Sequence, residues 1–292
     1  MYRHIISVDL EDWPQSCLDY NLPITPNVID NTGMLLDLFD KYGVKATFFC
    51  LGLVAEKYPE LIRKVHNDGH EIGTHGWSHR SVKELGPDKF KSELVRSIKV
   101  LEDICGQQVR GHRAPDFSID LDMHWAFDIM REAGLDYDSS IFPINGGRYG
   151  SPDSPVYPYG FQNGLWEYPL STVKIMKRKI PILGGGYFRL FPYNLSRRFL
   201  RMIEKESRPA VVYIHPYELN CQELHTLEVS RKTRLHQGLF RSRVALRLKK
   251  LFKEFAFGSM ADYQFNMNKM QEDCSHSYSY LMIQNPVVAK AE

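Results

Sequence analysis

Residues 45–75 read KATFFCLGLVAEKYPELIRKVHNDGHEIGTH. KATFFCL is a short apolar run of β-forming residues. AEKYPELIRKVHNDG has the length and spacing of one amphipathic helix, and Asp68-Gly69 closes it. HEIGTH is a second short strand, and it runs into a polar turn. A strand, a helix and a second strand in this order predict a parallel βαβ unit. The same rhythm extends in both directions. HIISVDL (4–10) is a buried strand ending in acid. Residues 27–42 place Val28, Leu35, Leu36 and Phe39 on one helical face, with Gly43 as the stop. A helix over 87–104 begins at Pro87, a residue suited to a first turn. VRGHRAP (109–115) is a strand, DMHWAFDIMREAG (122–134) a helix and LDYDSS (135–140) a strand. Residues 143–190 are rich in Gly, Pro and Tyr and are expected to form long ordered loops. NLSRRFLRMIEKES then predicts a helix and PAVVYIHPYE a strand.

The chain has 292 residues, a length that one α/β barrel can fill. Hydrophobic residues are 43% of it, enough for a sizeable core. A net charge of +2 gives no global field that would favour nucleic acid. An acidic cluster arrives by residue 9, where a signal peptide would continue its apolar run, and no run of about 18 apolar residues suggests a membrane span. The five cysteines (17, 50, 105, 221 and 274) are scattered and show no metal-type pairing. These features predict free thiols and a cytoplasmic protein. RSRVALRLKKLFKEFAF (241–257) is a basic amphipathic helix. Such a helix suits an anionic partner or the inner face of a membrane, although an ordinary packed helix with a solvated charged face is the commoner case.

In a parallel barrel, functional side chains collect at the carboxyl ends of the strands. The candidates there are Asp9, Glu11 and Asp12, then His75 and His79, then Arg113, Asp138 and His215. His75 and His79 are four apart, so on a helical turn they would share a face and could converge on one metal. The spacing alone is weak, because surface histidines reach it by chance. Two histidines plus one carboxylate are a common catalytic zinc set, with positions left for water and substrate. A further carboxylate could act as base, and Arg113 could orient it. His215, on a strongly apolar strand, is either a satisfied core residue or a general acid for a leaving amine.

The order of these elements is more specific than any one of them: an acid cluster, THGWSH, RAPDF, YDSS, then YIHP. In this order the chain resembles the NodB-homology polysaccharide deacetylases, carbohydrate esterase family 4, over residues 4–217. The resemblance implies a distorted (β/α)7-type barrel over 1–217 and a C-terminal helical extension over 218–292. It makes Asp9 the catalytic base, His75 and His79 the metal ligands, and Arg113 the contact of the base. It also makes the Asp116 N–H an oxyanion donor, Asp138 a tuning residue and His215 the general acid. The third ligand stays open between Glu11 and Asp12, because Leu10 interrupts the usual pair of adjacent aspartates. The implied metal is zinc. GGGYFRLFPY, HPYE and the basic tail resemble a subgroup associated with bacterial exopolysaccharide gene clusters. Arg189, Tyr187, Phe188 and Trp77 are candidate sugar contacts, although a glycine turn with packed aromatics explains residues 183–193 equally well. The implied reaction is hydrolysis of the N-acetyl group of an amino sugar that is nucleotide-linked, lipid-linked or part of an oligosaccharide. The alternatives are another amide hydrolase on the same fold, acting on a formamide or cyclic amide, and a non-catalytic glycan-binding relative.

Overall fold

The computed structural model describes residues 4–264, apart from 147, 148, 177, 227 and 228. Cys274 and the rest of the chain beyond 264 lie outside the described residues. Eleven strands occur in the described part: β1 (His4–Leu10), β2 (Thr47–Cys50), β3 (Glu71–Thr74), β4 (Gly111–His112), β5 (Tyr137–Asp138), β6 (Tyr159–Gly160), β7 (Trp166–Glu167), β8 (Thr172–Ile175), β9 (Arg178–Pro181), β10 (Val211–Ile214) and β11 (Phe257–Gly258). The main sheet has the order β10-β1-β2-β3-β4-β5-β7-β6, and β11 adds to β1. Its strands are parallel except for the antiparallel pair β6–β7. No pairing joins β6 to β10 among the described residues, so the sheet curls without closing.

Side chains alternate across a strand, and here the alternation separates two cores. Ile6, Val8, Leu10, Phe48, Cys50, Val212 and Ile214 pack in the larger core with the helices. Ile5, Phe49, Tyr137, Val211 and Tyr213 form a second core inside the curl. The interior is narrow. A Cβ at Gly111 would lie 2.1 Å from the Tyr137 ring, and one at Gly73 would lie 2.7 Å from Phe49.

The helix Asn27–Tyr42 forms as expected and stops at Gly43, whose φ is 61°. The helix expected over 55–69 divides into Gly52–Lys57 and Pro59–Asn67. Tyr58 precedes a proline, and the proline ring excludes the helical conformation there. The segment 143–190 is more regular than its composition suggests. It holds the β6–β7 pair, the hairpin β8–β9 and a helix Gly185–Leu190. Runs of two to four residues are too short for an alternation signal. The basic helix forms over Val244–Glu254 and buries Val244, Leu248 and Leu251. Chain after residue 217 therefore returns to the main sheet, because β11 pairs with β1.

Candidate active site

Four parallel strands bring side chains to one end of the curled sheet. Asp9 ends the interior row of β1, and Glu11 follows two residues later on the same side. His75 follows β3, Arg113 follows β4 and His215 follows β10. All except His215 are almost fully buried.

Arg113 is the keystone of the interior. Its Nη1 donates to Asp9 Oδ1 at 2.8 Å and to Ser7 Oγ at 2.7 Å. Its Nε and Nη2 donate to the carbonyl and hydroxyl of Ser139 at 2.9 and 2.8 Å. The guanidinium lies 4.4 Å from the centre of the Phe49 ring. Asp9 is thereby fixed with its second oxygen 3.9 Å from His215 Nε2.

Among the described residues, Glu11, His75 and His79 form the group able to share a metal ion, with ligand atoms within 4.8 Å of one another. His79 Nε2 is 2.5 Å from Glu11 Oε2, and His75 Nε2 is 3.4 Å from it. His75 Nδ1 lies 2.7 Å from the Arg113 carbonyl. A carbonyl can only accept, so Nδ1 carries the proton and Nε2 turns its lone pair toward Glu11. Glu11 Oε2 is buried, and its polar neighbours are the two imidazoles. Two imidazole nitrogens and one carboxylate oxygen match the donor set of a catalytic zinc site. Burial would raise the Glu11 carboxyl, but His79, His75 and His215 hold it well below the usual range. The two histidines do not share a helical face, contrary to the spacing argument. Residues 75–81 are a loop, and positive φ at Gly76 (73°) and His79 (61°) turns the second imidazole back onto the first.

Asp12 does not join them. It lies on the opposite side of the extended chain from Glu11, where its oxygens accept from the N–H and hydroxyl of Thr25 at 2.7 and 2.8 Å. Asp12→Ala should therefore leave metal content unchanged while lowering unfolding stability by about 2 kcal/mol, read by elemental analysis and thermal unfolding. Glu11→Ala should lose the metal.

His215 is stacked on Tyr217, with ring centres 4.9 Å apart and 13° between planes. The Tyr217 hydroxyl donates to Glu11 Oε1 at 3.2 Å. Glu218 Oε2 lies 3.5 Å from His215 Nδ1 and accepts the His215 backbone N–H at 3.2 Å. Burial works against a charged imidazole, but Glu218, Glu11 and Asp9 together raise His215 to about 9. Asp116 follows Pro115 in the left-handed region, with φ 54° and ψ 20°. Its carboxylate accepts from the Tyr20 hydroxyl at 3.1 Å. These groups open on a cavity of about 600 Å³, the size of a small-ligand site.

Several sequence candidates lie elsewhere. Asp138 is in register with His112 and Glu167, on the face away from Asp9. Its Oδ1 binds His112 Nδ1 at 2.8 Å and Ser140 Oγ at 2.7 Å. Burial and the Asp138 charge push the Glu167 carboxyl well above its ordinary value. Asp138 thus ties β4 to β5, on the face of the sheet away from Asp9. Trp77 is buried under the Arg96 guanidinium, 3.6 Å from its ring centre. Phe188 is a core residue, and Tyr187 packs toward Phe191 outside the cavity lining. Arg189 does line the cavity, but its guanidinium holds the carbonyls of His236 and Gln237. The sequence reading missed Ser7 and Ser139, which hold Arg113, and Tyr217 and Glu218, which hold His215. Ser7 was findable from its place two residues before Asp9. Glu218 was findable from its i+3 spacing to His215 across a proline turn.

A family model described as polysaccharide deacetylase matches residues 24–137. A second, described as a domain of unknown function (DUF3473), matches 139–264. Among curated proteins, a peptidoglycan-N-acetylglucosamine deacetylase of Bacillus cereus is 32% identical over 87 residues, which are 30% of this chain and 32% of the relative. A peptidoglycan deacetylase of Helicobacter pylori is 30% identical over 112 residues, 37% of this chain and 36% of the relative. A chitooligosaccharide deacetylase of Azorhizobium caulinodans is 33% identical over 85 residues, 29% of this chain and 40% of the relative. The chain thus spans about a third of the first two relatives. A solved structure from Mycobacterium smegmatis, assigned by its description to the polysaccharide deacetylases, has the same fold. It aligns at a TM-score of 0.61 and 20% identity, over 92% of both chains.

Proposed function

We propose that this chain, whose residues 24–137 match the polysaccharide deacetylase family model, hydrolyses the N-acetyl group of an amino sugar in a surface glycan. The observation that carries this reading is the convergence of three chemically distinct parts on one cavity. They are the Asp9–Arg113 pair, the Glu11/His75/His79 group and the His215 imidazole.

A divalent metal held by Glu11, His75 and His79, zinc by the nature of the donors, would polarise the acetyl carbonyl and acidify water. Asp9 is placed to take the proton of the attacking water. Asp116 lines the cavity, and its backbone N–H is the expected donor to the oxygen that gains charge. His215, positively charged near neutral pH, delivers a proton to the departing amine. Ser7, Ser139 and Arg113 hold the base, while Tyr217 and Glu218 hold the acid.

A general acid works in its protonated form, so activity should fall as pH rises through the His215 value. Glu218→Gln removes a carboxylate that raises that value. The alkaline limb of the pH profile of kcat/KM should therefore move to lower pH in this variant. An unmoved limb would remove Glu218 from this role.

The finer reading, a glycan precursor presented at an anionic membrane face, is supported by the C-terminal segment. Residues 229–253 contain no acidic side chain, and Arg231, Lys232, Arg243, Lys250 and Lys253 are exposed. No helix among the described residues is long and apolar enough to cross a membrane. The reading as a whole is tested by acetate release from N-acetylated chitooligosaccharides with metal-loaded protein, with the glycan product identified by mass. Loss of 42 Da per acetyl group is the expected result. A formyl or cyclic amide substrate, or binding without acetate release, would overturn it.

A further inference from the structure

The general acid marks where the sugar must lie. Deacetylation leaves the amine on the sugar, so the sugar body sits on the His215 side of Glu11, His75 and His79. On that side the cavity wall is not made by the barrel alone. Next to His215 come Gly185 and Gly186, then Arg189, and then His236 and Gln237 from the helix Arg231–Gly238. A Cβ on Gly185 would lie 3.7 Å from His215 Cε1, so this wall directly adjoins the acid.

The main chain at 236–237 is clamped rather than loosely apposed. Arg189 donates to the carbonyls of His236, at 3.3 Å, and Gln237. Arg241 Nε donates to the Gln237 carbonyl at 2.8 Å, and its Nη1 donates to the carbonyl of Tyr217 at 3.1 Å. Arg241 therefore ties this helix to the turn that carries His215. Arg247 Nη1 donates to the Phe188 carbonyl at 2.6 Å, which fixes the segment bearing Arg189. All three arginines are buried. The arginines hold only backbone at 236–237, so the His236 and Gln237 side chains take no part in the clamp, and both residues line the cavity.

We infer that His236 and Gln237 form a glycan subsite on the leaving-amine side of the cleft, recognising the hydroxyl or acetamido groups of the sugar next to the one deacetylated. An amide and an imidazole each offer both a donor and an acceptor, which is what neutral sugar substituents require. The inference rests on the deacetylase reading above and gives it a substrate class, a glycan of at least two sugars. It also makes the C-terminal segment part of the active site.

The test is the His236→Ala/Gln237→Ala variant, in which the arginine clamp on the backbone is retained. The substrate is fully N-acetylated chitotetraose, with Leu235→Ala as control, since Leu235 is on the same helix and 70% exposed. Loss of two hydrogen bonds should raise KM about tenfold, with kcat changed far less. Calorimetry with the fully deacetylated tetramer, which is not turned over, should show affinity weakened to a similar degree. Metal content and unfolding temperature should match wild type. If KM and affinity equal those of wild type and Leu235→Ala, the subsite is wrong although the enzyme is a deacetylase. If the variant loses affinity but wild type releases no acetate, the subsite stands and the deacetylase reading falls. If wild type neither binds nor turns over the tetramer, both fall.

Discussion

A His75→Ala/His79→Ala variant is expected to lose its metal and to lose turnover by about 10³-fold or more, since both Lewis-acid activation and oxyanion stabilisation go with the ion. The two imidazoles supply two of the three donors, and Glu11 is held between them. The change also bears on stability. Glu11 is 3% exposed, and its carboxyl stays low because His79 and His75 oppose the effect of burial. Without them the acid rises toward protonation, which avoids a bare buried charge. The fold should survive, because the loop 75–81 is held at His75 N by the Cys50 carbonyl, a bond that alanine keeps. Circular dichroism and metal analysis on the same sample separate loss of the ion from loss of the fold. A folded variant that kept wild-type turnover would contradict the site.

Asp9→Asn should keep the metal and lose about 10²–10⁴-fold in kcat/KM, the range for a general base. Asparagine has nearly the same shape and can still accept from Arg113 Nη1, so the interior remains filled. It cannot take a proton from water at neutral pH. The contrast with the histidine variant is diagnostic, because one removes the ion and the other removes the base. Asp9→Ala would be less informative. It leaves Arg113 buried with an unmatched charge, a change that typically costs about 3–5 kcal/mol, and unfolding would hide the chemistry.

The β-strand period was the most legible feature of the sequence, and it carried more than the strand positions. In β1 the odd-numbered residues Ile5, Ser7 and Asp9 face the interior. Continuing that row selects Glu11 over Asp12 without any structure. In β5 the same rule sets Tyr137 inside and Asp138 outside, against the tuning role inferred from the family resemblance. The helix over 27–42 was legible because seven of its residues are buried on a helical period and a glycine ends it. The geometry of 75–79 was not legible. It depends on positive φ at a histidine, and no residue pattern announces that. Arg189 was singled out as a sugar contact on chemical grounds, because an arginine in a glycine-rich turn looks like a ligand group. Its partners are carbonyls 47 and 48 residues away, a long-range packing fact that local patterns do not carry. For the same reason His236 and Gln237 gave no sign of reaching the cleft.

Glu11, His75 and His79 are expected to hold one catalytic metal ion beside Asp9 and His215. The most direct measurement is anomalous diffraction at the zinc edge from crystals of the metal-loaded protein. A single strong peak is expected at about 2.0–2.2 Å from both His Nε2 atoms and a Glu11 oxygen, with Asp12 still bound to Thr25. No peak after zinc loading, or a peak ligated by Asp12 in place of Glu11, would contradict it.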